Sequence, residues 1–181
     1  MTEGRDQNAA GAAYDELLVT LAIAGDRRAA ERLARRWHPR LLRTARRLVG
    51  ADLAPGAVQE CWVSILRGLG RLRDPARFAP WAFGILRRRC ADAIRRHSAE
   101  RARGGGEPDR VHAAALPGEA LAIARAMAGL PGDQRLAAQL FFIEGLTLAE
   151  IAEVQQVPEG TAKSRLFHAR RRLKAALSGD D

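Results

Sequence analysis

The stretch from Leu146 to Leu177 constrains this chain more than any other. A short acidic helix, a tight turn and a long basic helix follow one another there. Thr147 is placed to cap the first helix, and Glu150 stands three residues later, which makes a capping box. Leu148, Ile151, Ala152 and Val154 give that helix an apolar face, and Ala152 is small where two crossing helices would approach closely. Pro158 falls in the first turn of the next helix, where a missing N–H costs nothing. This is the pattern of a helix-turn-helix, whose second helix enters the DNA major groove.

Laid out at about 100° per residue, the second helix separates into faces. Ala162, Leu166, Ala169, Leu173 and Leu177 form one stripe, which should pack inward. Thr161, Ser164, His168 and Arg171 fall opposite. Lys163, Arg170 and Lys174 flank that face on one side, Arg165 and Arg172 on the other. A polar centre with basic shoulders suits base edges in the middle and phosphates at the rims. The plainer reading of such a helix is a solvated amphipathic surface that binds nothing.

Composition bears on that choice. The 181 residues carry 30 Lys and Arg against 21 Asp and Glu, a net charge of +9, which favours a polyanionic partner. Arginine greatly outnumbers lysine and suits bidentate contacts to phosphate and guanine, although a high-GC genome also inflates arginine. Cys61 and Cys90 each fall on the apolar stripe of an expected helix. They read as small buried residues in a reducing compartment, with a redox-sensing pair as the alternative. The first residues lack the basic-then-apolar order of a signal peptide, and no apolar run approaches the ~20 residues of a membrane span. The expectation is a soluble cytoplasmic protein without membrane insertion.

Periodicity is helical nearly throughout, so the fold expected is all-α. Residues 1–13 read as a frayed tail. Leu17, Leu18 and Leu21 mark a first helix, ended by Gly25, with Asp26 placed to cap the next. Ala30, Leu33, Ala34 and Trp37 mark a second helix, expected to stop before Pro39. Leu41, Leu42, Ala45, Leu48 and Val49 mark a third, ended by Gly50. Val58, Cys61, Trp62, Ile65, Leu66 and Leu69 mark a fourth, from near Pro55 to Gly70. After a polar turn, Arg71 to Arg77, a long fifth helix carries Phe78, Trp81, Ala82, Ile85, Leu86, Ala93 and Ile94 and becomes basic at its end. Residues 99–116, with Gly104, Gly105 and Gly106, read as a flexible linker. Leu121, Ile123, Met127 and Leu130 mark one further helix. Pro131 opens another through Leu136, Leu140, Phe141 and Ile143 to Gly145. Two small helical domains are therefore expected, 14–98 and 117–177, with a short tail at 178–181.

Two helical modules on a linker, the second ending in this helix-turn-helix, resemble bacterial sigma factors of the small extracytoplasmic-function (ECF) group. The resemblance covers nearly the whole chain. Ala24-Gly25-Asp26, Leu33 and Trp37-His38-Pro39-Arg40-Leu41 look like that family's opening helices. Val58-Gln59-Glu60 with Trp62 is similar to the helix that docks on the polymerase clamp. Phe78, Trp81, Ile85, Asp92 and Arg95-Arg96 fit its promoter-melting segment. Leu130-Pro131 to Leu140, Glu144-Gly145-Leu146-Thr147, Glu150-Ile151-Ala152 and Gly160-Thr161 with Lys163-Ser164-Arg165 look like the domain that reads the upstream element. The departures are Ala57 where the family usually has an acidic residue, Arg88 where Asn is common, Ala162 for a common Val, and Gln156 where the turn usually has Gly. If that last position needs φ > 0, a side chain there costs roughly 1 kcal/mol or more.

The resemblance implies a sigma region 2-like domain, a sigma region 4-like domain, and a protein that lends promoter specificity to core RNA polymerase without being an enzyme. It places Thr161, Lys163, Ser164, Arg165, Phe167, His168 and Arg171 on the minus-thirty-five element. By the helical wheel, Ser164, Arg171 and His168 read bases while Lys163 and Arg165 hold phosphates. Phe167 either touches a thymine methyl or packs at the edge of the core. The minus-ten element, as an opened strand, would meet Arg71, Arg73, Arg77, Arg87, Arg88, Arg95 and Arg96, since a bare strand suits basic grooves. Phe78 and Trp81 lie on the apolar stripe and read as core rather than stacking platforms. Gln59, Glu60 and Arg67 would meet the polymerase clamp, the second module the flap, and the linker would thread toward the RNA exit path. An anti-sigma factor is implied as a further partner. No sensing segment is expected after Leu177.

Two other readings compete. A stand-alone helix-turn-helix regulator explains the second module but not the first. An enzyme needs clustered carboxylates, metal ligands or a nucleophile–base pair. The histidines (His38, His97, His112 and His168) are scattered without ligand spacing, and the Gly104–Gly106 run lacks the preceding strand of a phosphate loop. No cofactor, metal or small-molecule substrate is expected.

Overall fold

A computed structural model describes residues 3–104 and 118–178. Seven helices account for most of them, and no strand occurs among the described residues: α1 (Glu3–Ile23), α2 (Arg27–Gly68), α3 (Phe78–Gly104), α4 (Gly118–Ala128), α5 (Gly132–Ala138), α6 (Leu148–Gln155) and α7 (Glu159–Ser178). Short 3₁₀ turns at Leu69–Arg71 and Pro75–Arg77 join α2 to α3. The all-α expectation therefore holds.

Local chemistry sets the helix ends. Asp26 caps α2 by accepting from the backbone N–H of Arg28 at 2.8 Å and of Ala29 at 3.1 Å. Gly50, at φ 85°, breaks the long α2 where the sequence places an end. Pro39, expected to stop a helix, does not: the backbone runs on through it. An internal proline costs about 3 kcal/mol. Fully burying Leu33, Trp37 and Leu41, which line up on one face across it, contributes about 1.5–3 kcal/mol each. That sum wins. Likewise the chain is helical again directly after Gly50 rather than from Pro55.

The expected tail at 1–13 is helical from Glu3 onward. Alanines at 12 and 13 favour helix, and the Arg36 guanidinium donates to the Gly11 carbonyl at 3.3 Å. On α1 the buried face is Asp15, Leu18 and Val19, whereas Leu17 and Leu21 face solvent. The expected linker begins late, because α3 continues to Gly104; residues 105–116 of it lie outside the described residues, as do 1–2 and 179–181.

Helices α2 and α3 pack together around Trp37, whose ring meets Phe78 edge-on at 4.9 Å and Phe83 at 5.7 Å. The two modules do not stand apart. One continuous apolar core runs from Leu18, Trp37, Ile65 and Phe83 into Leu140, Ile151, Val154 and Ala162 of the second module, with α6 lying against α3. A smaller cluster of Met127, Leu130, Ala138 and Ala169 holds α4, α5 and α7.

Candidate nucleic-acid interface

The helix-turn-helix forms as the sequence dictates. Thr147 Oγ1 accepts from the Glu150 N–H at 3.3 Å, and the Glu150 carboxylate accepts from the Thr147 N–H at 2.8 Å. Helix α6 ends in a Schellman motif, with Val157 N–H bonded to Ala152 O at 3.0 Å and Gln156 N–H to Glu153 O at 3.1 Å. That closure puts Gln156 at φ 54°, ψ 49°. The turn does require the left-handed conformation, and a residue with a Cβ occupies it.

On α7, Ala162, Leu166 and Ala169 are buried, Leu173 is half-buried and Leu177 is exposed. The inward stripe thus stops a turn earlier than expected. Lys163, Ser164 and Arg171 are exposed on the outer face, with Thr161 and His168 half-buried beside them. Phe167 is 61% exposed, its ring 5.5 Å from that of His168. This position suits apolar contact with a ligand better than edge-of-core packing.

Two of the expected basic shoulders are occupied. Arg165 pairs with Asp133 at 2.7 Å and donates to Gln155 Oε1 at 2.9 Å, so it ties α7 to α5 and α6. Arg170 lies over the rings of Phe141 and Phe142, at 5.0 and 5.3 Å. Neither partner set is visible in a helical wheel, which compares residues of one helix only.

The first module divides its basic residues in the same way. Arg71, Arg73 and Arg88 are exposed. Asp74 caps the turn that carries Arg77 by accepting from Ala76 N–H at 3.0 Å. Arg95 pairs with Asp92 one turn away. Arg96 pairs with Glu60 at 2.7 Å, which joins a candidate DNA residue to a candidate polymerase residue; this contact raises the Arg96 pKa. Gln59 and Arg67 are exposed on α2. Arg77 and Arg87, by contrast, face the second module: Arg77 pairs with Glu153, and Arg87 donates to Gln156 Oε1 at 2.9 Å. Phe78 is buried and Trp81 half-buried against Gly68, as expected for core.

A polar network that the sequence does not announce crosses the modules. The Glu144 side chain, 1% exposed, accepts from Arg40 Nε at 3.0 Å, Thr44 Oγ1 at 3.2 Å and Gln139 Nε2 at 3.2 Å. Arg40 also reaches Asp15 at 3.5 Å and stacks over Trp37 at 4.0 Å. Arg47 donates to the side-chain Oε1 of Gln139; desolvation by burial lowers the Arg47 pKa, and Glu144 opposes that. Gln139 opens a π-helical turn, Gln139–Ile143, that follows α5 without a break.

Cys61 and Cys90 are free and buried, and burial pushes both thiols up to about 12. A thiol so rarely ionised is a poor nucleophile, which argues for the packing role. Among the described residues no cluster of His, Cys, Asp or Glu is arranged to hold a metal, and no helix is long and apolar enough to cross a membrane.

Comparison with known proteins places this geometry. The sequence profile of sigma-70 region 2 matches residues 33–100, and that of sigma-70 region 4 matches residues 120–173. The chain is similar to the ECF RNA polymerase sigma factor SigM of Mycobacterium tuberculosis, with 34% identity over 165 residues that cover 90% of this chain and 84% of the relative. It is also similar to the ECF RNA polymerase sigma-E factor of Escherichia coli K12, with 29% identity over 172 residues covering 86% and 90% of the two chains. In three dimensions it resembles the sigma factor RpoE in complex with the anti-sigma factor NepR from Bartonella quintana (TM-score 0.73, 25% identity, 83% of this chain and 98% of that one). CnrH in complex with the cytosolic domain of CnrY gives a TM-score of 0.66 at 25% identity, over 93% and 99%.

Proposed function

The chain belongs to the extracytoplasmic-function group of RNA polymerase sigma factors, and from that premise we propose how its two modules divide the recognition of a promoter. As a sigma factor it is a transcription initiation factor that directs core polymerase, which supplies the chemistry, to promoter DNA. The stand-alone regulator reading is disfavoured, because the region 2 match accounts for the first module.

The second module, residues 117–177, reads the minus-thirty-five element with α7. The observation that carries this is the outer face of α7, where Lys163, Ser164, Phe167 and Arg171 stand exposed on a capped helix-turn-helix. Ser164 and Arg171 read base edges, with His168 beside them. Thr161 and Lys163 hold phosphates, and Phe167 offers a ring to a thymine methyl. Arg165 contributes mainly by fixing α7, since Asp133 and Gln155 hold its guanidinium.

The first module, residues 14–98, binds the opened minus-ten strand with Arg71, Arg73, Arg77, Arg87, Arg88, Arg95 and Arg96. Gln59, Glu60 and Arg67 meet the polymerase clamp and the second module meets the flap, with the linker running toward the RNA exit path. The protein works in the cytoplasm, and an anti-sigma factor holds it inactive; the comparison with RpoE, bound to NepR in its structure, supports such a partner.

Arg171→Ala tests the upstream assignment. Losing one base-reading arginine costs about 1–3 kcal/mol, so holoenzyme affinity for a cognate upstream duplex falls about 5- to 150-fold while binding to core polymerase is unchanged. Equal affinity for the duplex would remove Arg171 from the readout.

A further inference from the structure

We propose that the outer face of α2 is a further DNA-binding surface, on which Arg28, Arg32, Arg35, Arg43 and Arg46 hold the phosphates of duplex DNA without regard to sequence. This surface goes beyond the two promoter contacts described above and uses none of their residues.

Charge is the first observation. Residues 27–50 carry nine arginines against one acidic residue, Glu31, so this segment holds nearly all of the chain's net charge of +9. A genome rich in G and C would spread arginine along the chain rather than gather its excess here. Alignment is the second. Helix α2 runs through Pro39, and Gly50 is its only non-helical residue, so one wheel covers the whole segment. At about 100° per residue the five fall within about 80° of one another. At 1.5 Å per residue, Arg28 and Arg46 stand about 27 Å apart along the axis. A stop at Pro39 would have broken this row in two. Availability is the third. All five are exposed, and among the described residues none of their guanidinium groups has a hydrogen-bonding or ion-pair partner. Their neighbours Arg36, Arg40 and Arg47, turned to one side of the row, are held by Asp15, Glu144 and Gln139, the last two across the seam between the modules. Like charges three and four residues apart weaken a helix, and no acid among the described residues offsets that along the row.

Chemistry selects the ligand. At one charge per ~1.7 Å, about 27 Å of duplex carries about sixteen phosphate charges, so the whole row can be met at once. A small anion would meet only one or two of these arginines. A single strand binds by stacking on aromatic rings as well as by charge, and an acidic protein would need an apolar centre to its interface. Between Arg27 and Gly50 no Phe, Tyr or Trp and no other large apolar side chain stands exposed. Guanidinium groups suit phosphate oxygens, which they meet in pairs of hydrogen bonds. The row therefore supplies salt-sensitive affinity for duplex DNA of any sequence, in addition to that of α7.

The test measures the affinity of the free full-length protein for a fluorescein-labelled duplex of random sequence by anisotropy, at salt concentrations from about 50 to 200 mM. Arg28→Gln/Arg32→Gln/Arg35→Gln/Arg46→Gln keeps good helix formers and removes like-charge repulsion, so the fold survives; an undiminished Tm checks that. With about 0.9 lost per phosphate contact, the slope of log K against log salt should become shallower by about 3, and affinity at about 0.1 M salt should fall more than about tenfold. Lysine at the same four positions keeps the charge and should keep the slope within about 0.5 of wild type. The control Arg103→Gln/Arg125→Gln removes two exposed charges elsewhere and should shift the slope by less than about 0.5. A wild type that leaves the duplex unbound, a quadruple glutamine variant with an unchanged slope, or a control that acts equally per charge removed overturns the surface. So does poly-glutamate that binds the wild type more tightly than the duplex and is released by the glutamine variant, since the row would then belong to an acidic protein. A duplex carrying the upstream element keeps this surface apart from the promoter reading. The glutamine variant should weaken its binding by the same factor as that of the random duplex, whereas Arg171→Ala weakens the upstream duplex alone. If only Arg171→Ala acts, the row fails and the upstream assignment stands.

Discussion

Truncating Glu144 is the sharpest test of whether the modules are packed in solution. Its carboxylate accepts from Arg40, Thr44 and Gln139 at 3.0–3.2 Å. Glu144→Ala deletes all of these acceptors and leaves Thr44 and Gln139, both buried, with fewer partners. Breaking one side of a buried pair costs about 3–5 kcal/mol. Arg40 is 24% exposed and keeps Asp15 and the Trp37 ring, so the low end applies, about 3 kcal/mol. In a chain of this size each kcal/mol moves Tm by about 2–4 °C, which gives a fall of about 6–12 °C. The milder Glu144→Gln keeps the shape and one acceptor and should cost about 1–1.5 kcal/mol. A double-mutant cycle with Arg40→Ala, read by urea unfolding, isolates the seam. Residues in direct contact should couple by more than about 0.5 kcal/mol. Additivity within about 0.3 kcal/mol would mean that these side chains do not meet in solution, and the seam would have to be abandoned.

Three further outcomes follow. Arg165→Ala should destabilise the second module by about 1 kcal/mol, through its contacts to Asp133 and Gln155, whereas Arg171→Ala should leave stability within about 0.5 kcal/mol of wild type; urea midpoints of both variants check the contrast. Asp26→Ala removes two capping hydrogen bonds at the start of α2 and should cost about 1 kcal/mol, seen as a lower Tm in calorimetry. Cys61 and Cys90, with thiols raised to about 12, should resist iodoacetamide at pH 8 in the native state and react readily in urea. Because burial raises these pKa values in the folded state only, their contribution to stability is complete below the unfolded pKa, about 8.5, and fades as pH climbs toward 12; rapid native alkylation at pH 8 would contradict the burial.

How far the sequence led can be traced residue by residue. Features set by near neighbours were legible: the Thr147–Glu150 box, the Asp26 cap and the break at Gly50. Each depends on chemistry within a few positions. Pro39 misled because a local rule was outweighed by burial of Leu33, Trp37 and Leu41, and that burial depends on α3, far along the chain. The seam was invisible for a related reason. Arg40 meets Glu144 across 104 positions and Arg87 meets Gln156 across 69, and no period encodes such pairs. For the candidate interface, the wheel separated the faces of α7 as far as Leu173, carried the inward stripe one turn too far to the exposed Leu177, and overcounted the basic rim. Arg165 and Arg170 are held by Asp133 and by Phe141 and Phe142, on elements the wheel does not contain. Arg77 was chosen for its place in a loop that the family resemblance singles out and Arg87 for its charge, both without sight of the helix that meets them.

Transcription by core RNA polymerase reconstituted with the purified protein, from a library of promoter fragments, tests the central claim most directly. The account predicts initiation that depends on both components, at fragments sharing an upstream and a downstream element, with the upstream preference relaxed by Arg171→Ala. Absence of such transcripts, together with sequence-specific duplex binding by the protein alone, would contradict it and return the chain to the class of separate regulators.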